Sequence, residues 1–382
     1  MKKKAVIWFS IFDWWTSSHG HSDFQLAKKL AEDRPVLFVN SIGMRVPVPG
    51  KTQRSGRKIL RKLGSIARGL KRPDPALPNL AVMTLVTPPV PVGRLTPVLL
   101  LIAYVQIKLV SFFLGWRLKE SIVTVPTAEK LARKIVGSRV VYYRSDRHSA
   151  FNEAHPSVAS SEKKLLENAP IVAYSSTDLM KAESDLVGDR GRMLEHAVDP
   201  SLFNPERIPD KKILTYPNPR IGFFGSLRGH SLDLELISEV AKAMPDASIL
   251  IMGDRSDRAD VLDGISNIHF LPQRPHDMMP TAWAALDVAL MPYKDTDWML
   301  GVEPIKLREV LAIGVPMASI NVLSSNLYPN AIFTARVRSE FIPTVQKAIR
   351  SGKHEGGRFK SWSEQSVLLS KWLDGPLYSA DV

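Results

Sequence analysis

Short apolar runs alternate with longer amphipathic stretches along most of this chain, the pattern of parallel strands joined by helices. Residues 5–11 predict a first strand, and Ser22 followed by Gln25 gives a capping box that opens a helix over 23–32. Further strands are expected at 36–40, 80–86, 122–125, 140–144 and 171–175, with helices over 127–136 and 157–168. The alternation restarts at residue 220. Strands are expected there at 220–225, 247–252, 267–271, 286–291 and 315–320, and helices over 232–243, 277–285 and 304–312. Between the two runs the chain is proline-rich and aperiodic. This predicts a domain over 1–205, a linker over 206–219 and a second domain over 220–355, both α/β and doubly wound. Residues 356–382 carry Trp362, Leu368, Leu369 and Trp372 and predict a terminal helix.

Two stretches depart from the alternation. Residues 45–72 hold ten Lys or Arg and no acid, with Ile59, Leu60, Leu63, Ile66, Ala67 and Leu70 interleaved at roughly helical spacing. A basic amphipathic insertion of this kind suits an anionic membrane surface. It lacks the aromatic residues that stack on bases, so nucleic acid is not the expected partner. Residues 96–116 are long and apolar enough to span a bilayer, with Gln106 and Lys108 as interruptions. A strand follows within a few residues, and a span would separate the two halves of one sheet. The segment is therefore expected as a helix packed on the sheet, with a lipid-facing edge as a second candidate membrane contact.

The bulk numbers narrow the field. A chain of 382 residues is long enough for two cores. Its net charge of +13 asks for an anionic partner. The absence of cysteine excludes disulfides and thiolate metal sites and fits a reducing compartment. No cleavable leader is expected, because lysines 2–4 are followed by Trp8, Phe9 and Asp13 without a small-residue cleavage site.

The stretch 301–316 reads as a loop, a helix opened by Pro304, a glycine and a buried strand. Lys306 and Glu309 are three apart and share a face near the helix start. Unpaired N–H groups, the helix dipole and a lysine make an anion site. The glutamate beside them suits ribose hydroxyls, and the combination points to a nucleoside diphosphate. The turn Gly225-Ser226-Leu227-Arg228 after a buried strand allows close backbone approach, with Arg228 placed to clamp a diphosphate.

These residues carry a resemblance. Pro304-x-Lys306-x-x-Glu309-x-Leu311-Ala312-x-Gly314-x-Pro316 is similar to the donor-site helix of GT-B glycosyltransferases, particularly family 4. Ile221 to Leu227, Glu195 to Asp199 with Phe203, and Leu286 to Tyr293 resemble three further segments of that family, in its order, across roughly the C-terminal half. The resemblance implies an α/β, GT-B architecture: two doubly wound Rossmann-like domains facing a central cleft, with the terminal helix crossing back to the first. It implies a nucleotide-diphosphate sugar as donor substrate, with no cofactor and no metal. It also implies a sugar, a hexose, moved to a lipid-linked or polysaccharide acceptor at the cytoplasmic face of the cell membrane, in envelope or exopolysaccharide synthesis. The donor contacts it implies are Gly225, Ser226, Arg228, Glu303, Pro304, Lys306, Leu307 and Glu309. Lys306 and Arg228 would stabilise the leaving diphosphate.

On the acceptor side, Asp146 is the candidate general base, since an inverting transfer needs a carboxylate or imidazole at the acceptor hydroxyl. Tyr143-Arg144-Ser145-Asp146 is similar, apart from one spacing residue, to a segment of the xanthan glucuronosyltransferase type, an inverting GT-B enzyme. A structural pairing of Asp146 with Arg144 or Arg147 is the alternative. Trp14 and Trp15 offer platforms for a sugar ring or lipid, His19 and His21 could meet a phosphate, and His148 and His196 are candidate lining residues. Gly301 stands where family 4 carries a further glutamate, so retention and inversion both stay open. A nucleotide-sugar epimerase of the same fold and a catalytically degenerate membrane scaffold are the competing functions.

Overall fold

The computed structural model describes residues 2–42, 63–87, 95–151, 155–227, 231–255 and 257–375. The chain divides into two compact units, Met1–Glu195 with Trp362–Val382, and His196–Ser361. The stretch 206–219 lies inside the second unit, where Ile213 is buried in the core and Asp210 pairs with Arg274.

In the first unit, seven strands form one parallel sheet: β1 (Lys3–Phe9), β2 (Val36–Val39), β3 (Leu80–Met83), β4 (Trp116–Val123), β5 (Val140–Arg144), β6 (Ile171–Tyr174) and β7 (Gly191–Met193). Their order is β3-β2-β1-β4-β5-β6-β7. In the second unit, β8 (Arg220–Phe224), β9 (Ser248–Met252), β10 (Ile268–Leu271), β11 (Val288–Pro292), β12 (Met317–Ile320) and β13 (Ile332–Ala335) pair in parallel. Here the order is β10-β9-β8-β11-β12-β13. Both are doubly wound sheets whose order reverses beside the first strand, and such sheets bind ligands at the strands' carboxyl ends near that reversal. The inner strands are continuous apolar runs because helices cover both faces.

Several boundaries differ from expectation for local reasons. The helix Ser22–Asp33 begins one residue early, with His21 at the cap and no side-chain capping bond, so the expected capping box is not formed. Gln25 instead donates to the His19 carbonyl at 2.8 Å. β4 starts at Trp116, inside the segment expected to be helical, because Gly115 turns the chain with φ +69° and the strand then pairs with β1 from Lys3. β7 and β13 have no sequence signature: β7 is Gly-Arg-Met and β13 is only half buried. Positions 43–62, most of the basic insertion, lie outside the described residues. Its end is described: 63–67 is helical, and Lys71 exchanges two backbone hydrogen bonds with Val82.

The apolar segment forms the helix Thr96–Phe113. Ala103, Ile107 and Ser111 face the core, while Leu101, Val105, Leu109 and Phe112 are about half exposed and Phe113 is 78% exposed. The terminal helix Trp362–Asp374 belongs to the first unit, where Arg34 holds Asp374 through two nitrogens at 2.9 and 2.6 Å.

Candidate functional site

Three close approaches build the site in the second unit. Gly225 continues β8, donating its N–H to the Met252 carbonyl at 2.8 Å. A Cβ on Gly253 would fall 1.8 Å from the Gly225 carbonyl oxygen, so the second turn packs on the first only because residue 253 is glycine. A Cβ on Gly225 would fall 2.3 Å from the Lys306 Nζ, which also lies 4.7 Å from the centre of the Phe223 ring. The lysine ammonium thus rests directly on bare backbone at the carboxyl end of β8.

Lys306 is carried there by the helix Ile305–Ile313. Pro304 is its N-cap rather than its first helical residue, and its carbonyl accepts the Leu307 N–H at 2.9 Å. The first N–H groups of such a helix have no intrahelical acceptor, and its dipole adds partial positive charge beside the ammonium. The far end is fixed by Gly314 at φ +87°, where a Cβ would meet the His354 carbonyl at 2.2 Å.

The other expected donor residues are distributed unevenly around this point. Glu309, one turn on from Lys306, brings its Oε1 within 2.6 Å of His276 Nε2. Glu303 is committed to a buried ion pair: Arg308 Nε and an Nη lie 2.7 and 2.6 Å from its Oε1. That pair fastens the loop to the helix, so Glu303 shapes the site from behind rather than offering a carboxylate to a ligand. Leu307 is wholly buried in the core, leaving packing as its role, and Ser226 is exposed. Arg228 lies outside the described residues. Asp295-Thr296-Asp297, after β11, has Asp-x-Asp spacing with both carboxylates exposed. Among the described residues no group of three His, Cys, Asp or Glu is placed to hold a metal.

In the first unit a buried polar network occupies the corresponding end of the sheet. Asp23, fully buried, accepts from Ser10 Oγ at 2.5 Å and Thr124 Oγ1 at 2.7 Å, and so sits where the strand order reverses between β1 and β4. Arg144, at the end of β5, is 2% exposed and pairs with Glu162 and Glu183, the latter at 2.8 Å. It also donates to the Asp146 carbonyl at 2.9 Å and to the Tyr142 hydroxyl at 3.0 Å. Asp146 therefore has Arg144 gripping its backbone, while its carboxyl meets Ser145 Oγ at 3.5 Å. Burial pushes the Asp146 carboxyl above its ordinary pKa, opposed by the charges of His148 and Arg144 and reinforced by that of Asp23. Burial raises Asp23 likewise, against its hydroxyl partners. Glu162 behaves oppositely: desolvation is outweighed by His148, Arg144 and Ser149, and its pKa falls to about 2. His148 is fully buried, its Nδ1 3.5 Å from Glu162 Oε1, and is part of this network rather than an open lining residue.

The aromatic loop after β1 is mostly structural. Trp14 is buried, with its ring edge-on to Phe24 and Phe38 at 5.2 and 5.0 Å, so it cannot serve as a platform for a sugar. His19 bonds the Trp14 carbonyl at 2.9 Å, and His21 stacks on Phe12 at 3.8 Å. Trp15 is half-buried beneath Arg68, whose guanidinium lies 5.5 Å from the ring centre. His196, which opens the second unit, is buried.

Sequence reasoning passed over Asp23, Glu162 and His276. The first two carried a legible signal. Asp23 shares a helical stripe with Leu26, Ala27 and Leu30, and Glu162 one with Val158, Leu165 and Leu166. A charge on an apolar stripe is buried, and buried charges are paired. His276 lies in a short turn and carries no such pattern.

Residues 218–337 match the family described as "Glycosyl transferases group 1". The chain is 28% identical over 178 residues to "Putative teichuronic acid biosynthesis glycosyltransferase TuaH" of Bacillus subtilis (strain 168), covering 44% of this chain and 45% of that protein. The match thus spans under half the length of that relative. Among solved structures, sucrose-phosphate synthase from Thermosynechococcus elongatus superposes with a TM-score of 0.68 at 15% identity, covering 97% of this chain and 96% of the other. Anabaena HepE in complex with UDP-glucose gives 0.59 at 14% identity, with coverages of 97% and 96%. The likeness to these solved structures shows the fold: two Rossmann-like α/β units of the GT-B type.

Proposed function

We propose that this protein is a glycosyltransferase that moves a sugar from a nucleoside-diphosphate donor, held in the second unit, to a glycan or lipid-linked acceptor in cell-envelope polysaccharide synthesis. The observation that carries the donor site is the Lys306 ammonium seated on Gly225 at a helix N-terminus. Negative charge grows on the departing diphosphate during transfer, and a fixed cation with N–H donors stabilises that state more than the ground state. The matched family segment and the teichuronic acid relative support this chemistry and setting.

Asp146 fits the base of an inverting course. Its backbone is clamped by Arg144, and its desolvated carboxyl takes up a proton more readily than an exposed aspartate would. The Glu303 carboxylate is occupied by Arg308, which leaves retention without the acidic sugar contact expected from this loop.

The membrane contact in this reading is the outer face of the helix Thr96–Phe113. Of this 18-residue helix only 17% is buried, and exposed Lys2 and Lys134 bring cations to the aromatic rings of Phe112 and Tyr104, at 4.7 and 5.0 Å. Apolar side chains ringed by lysines fit an anionic bilayer surface, with the helix lying in the interface. Flotation with phosphatidylglycerol vesicles tests this: Leu109→Asp with Phe113→Asp should release the protein, while unchanged flotation would remove the helix from the contact.

The donor reading is tested by calorimetry with UDP, GDP, ADP and dTDP, in EDTA and again in magnesium. One nucleotide should bind at micromolar affinity and be lost in Lys306→Ala. Failure of all four to bind in either buffer would favour a degenerate scaffold.

A further inference from the structure

Arg68 stands at the described end of the basic insertion, with the backbone anchored on both sides of it. Ser65 before it is wholly buried, and Lys71 after it exchanges backbone hydrogen bonds with Val82 at 3.0 and 2.8 Å. Val82 is the last residue but one of β3, so Arg68 is brought to the end of the sheet where doubly wound units bind ligands. Its side chain is exposed, and its guanidinium carbon sits 5.5 Å from the centre of the Trp15 ring. Among the described residues it meets no carboxylate.

Trp15 is held as firmly. Its backbone N–H donates to Asp13 Oδ1 at 3.0 Å, and that of Trp14 beside it donates to Asn40 Oδ1 at 2.8 Å. Its indole N–H is buried and has no acceptor among the described residues. One unpaired cation and one unpaired donor thus share a single ring. Two hydrogen bonds of about 2.9 Å, joined through one anion with several oxygens, bridge donors that far apart. Guanidinium and indole both donate and neither accepts, which calls for an oxyanion rather than a hydroxyl. Arginine pairs best with carboxylate and phosphate, and ten Lys or Arg without an acid over 45–72 favour the more highly charged phosphate. We infer that Arg68 and Trp15 form a subsite for a phosphate ester carried by the acceptor. The inference takes its acceptor from the transferase reading above and its chemistry from these two residues. The competing sources of the anion are free phosphate and the headgroups of a bulk anionic bilayer.

The test is NMR of the indole N–H groups, with the Trp15 signal assigned by its loss in Trp15→Phe. Octyl phosphate, inorganic phosphate and chloride are titrated at matched ionic strength. Octyl phosphate should move the Trp15 signal saturably, and chloride should not. By calorimetry, Arg68→Gln should weaken octyl phosphate roughly tenfold or more, and Arg68→Lys should keep part of the affinity. Trp15→Phe, which keeps a ring but loses the donor, should weaken it about threefold or more. Arg68→Gln should still float with phosphatidylglycerol vesicles as wild type does. A Trp15 signal moved as far by chloride, or moved unchanged in Arg68→Gln, overturns the subsite. Binding of inorganic phosphate without octyl phosphate assigns it to free phosphate, and release of Arg68→Gln from the vesicles assigns it to bulk headgroups; either overturns the inference. A wild type that binds octyl phosphate but no nucleotide sinks the transferase reading and leaves the subsite standing. The reverse result sinks this inference alone.

Discussion

In the first unit Asp23 bridges Ser10 and Thr124 beside the reversal of strand order, whereas in the second the carboxyl end of the first strand holds Gly225 and the tip of Lys306. The topology of the two sheets is shared, but the polar chemistry is built in opposite ways. One site is a buried network of Asp23, Arg144, Asp146, His148 and Glu162, where burial raises the pKa of the two aspartates and cationic partners lower that of Glu162. The other lacks side chains at Gly225 and Gly253, so that one long cation lies against bare backbone. Proton handling needs carboxyls taken out of water, and diphosphate binding needs exposed N–H groups and charge. In the proposed function the first arrangement serves proton transfer and the second holds the donor diphosphate.

The comparison breaks most visibly at Asp146. Asp146→Asn should lower the transfer rate by roughly 10²–10⁴ while leaving nucleotide affinity unchanged. In wild type the acidic limb of kcat/KM against pH should lie above the ordinary aspartate range, because the base must be ionised and burial opposes ionisation. A variant with wild-type rates would reduce the network to a structural role.

Next in size is Glu162→Gln. Removing one partner of the buried Arg144 pair should cost about 3–5 kcal/mol in urea unfolding at pH 7. The Glu162 pKa is depressed in the folded state, so its contribution is complete above the ordinary glutamate value of 4.5 and is lost as pH falls through about 2. The gap between wild type and variant should close over that window. A gap that is flat with pH would deny the carboxylate its charged role.

Gly225→Ala sharpens the other half. Its Cβ would displace the flexible end of Lys306 and press the Phe223 ring at 3.3 Å, so stability should fall by about 1 kcal/mol. Nucleotide affinity should fall roughly tenfold as a charge-assisted contact is pushed away. Equal affinity would mean that the ammonium does not act from this position. The smallest effect is expected beside Asp23: Ser22→Ala should shift the melting free energy by no more than about 0.5 kcal/mol, because Ser22 makes no cap bond. A loss nearer to about 1 kcal/mol would reinstate the capping box.

Much of this was legible before any coordinates. The strand at 140–144 is found with the expected bounds, and the helix carrying Lys306 and Glu309 is displaced by a single residue, because period, proline and glycine all act locally. The fates of Trp14 and Glu303 were not legible. Trp14 became core because Phe24 and Phe38, distant in sequence, close around it, and Glu303 was taken by an arginine that the motif leaves unspecified.

The sequence by itself determined two doubly wound α/β units and the residue types of a candidate anion site, since both follow from spacing along a helix or strand. Only the tertiary structure decided which carboxylates are desolvated, which cation rests on which glycine, and that the described residues leave the outer face of the helix Thr96–Phe113 exposed. Those outcomes depend on segments far apart in the chain meeting in space, and burial is a property of that meeting.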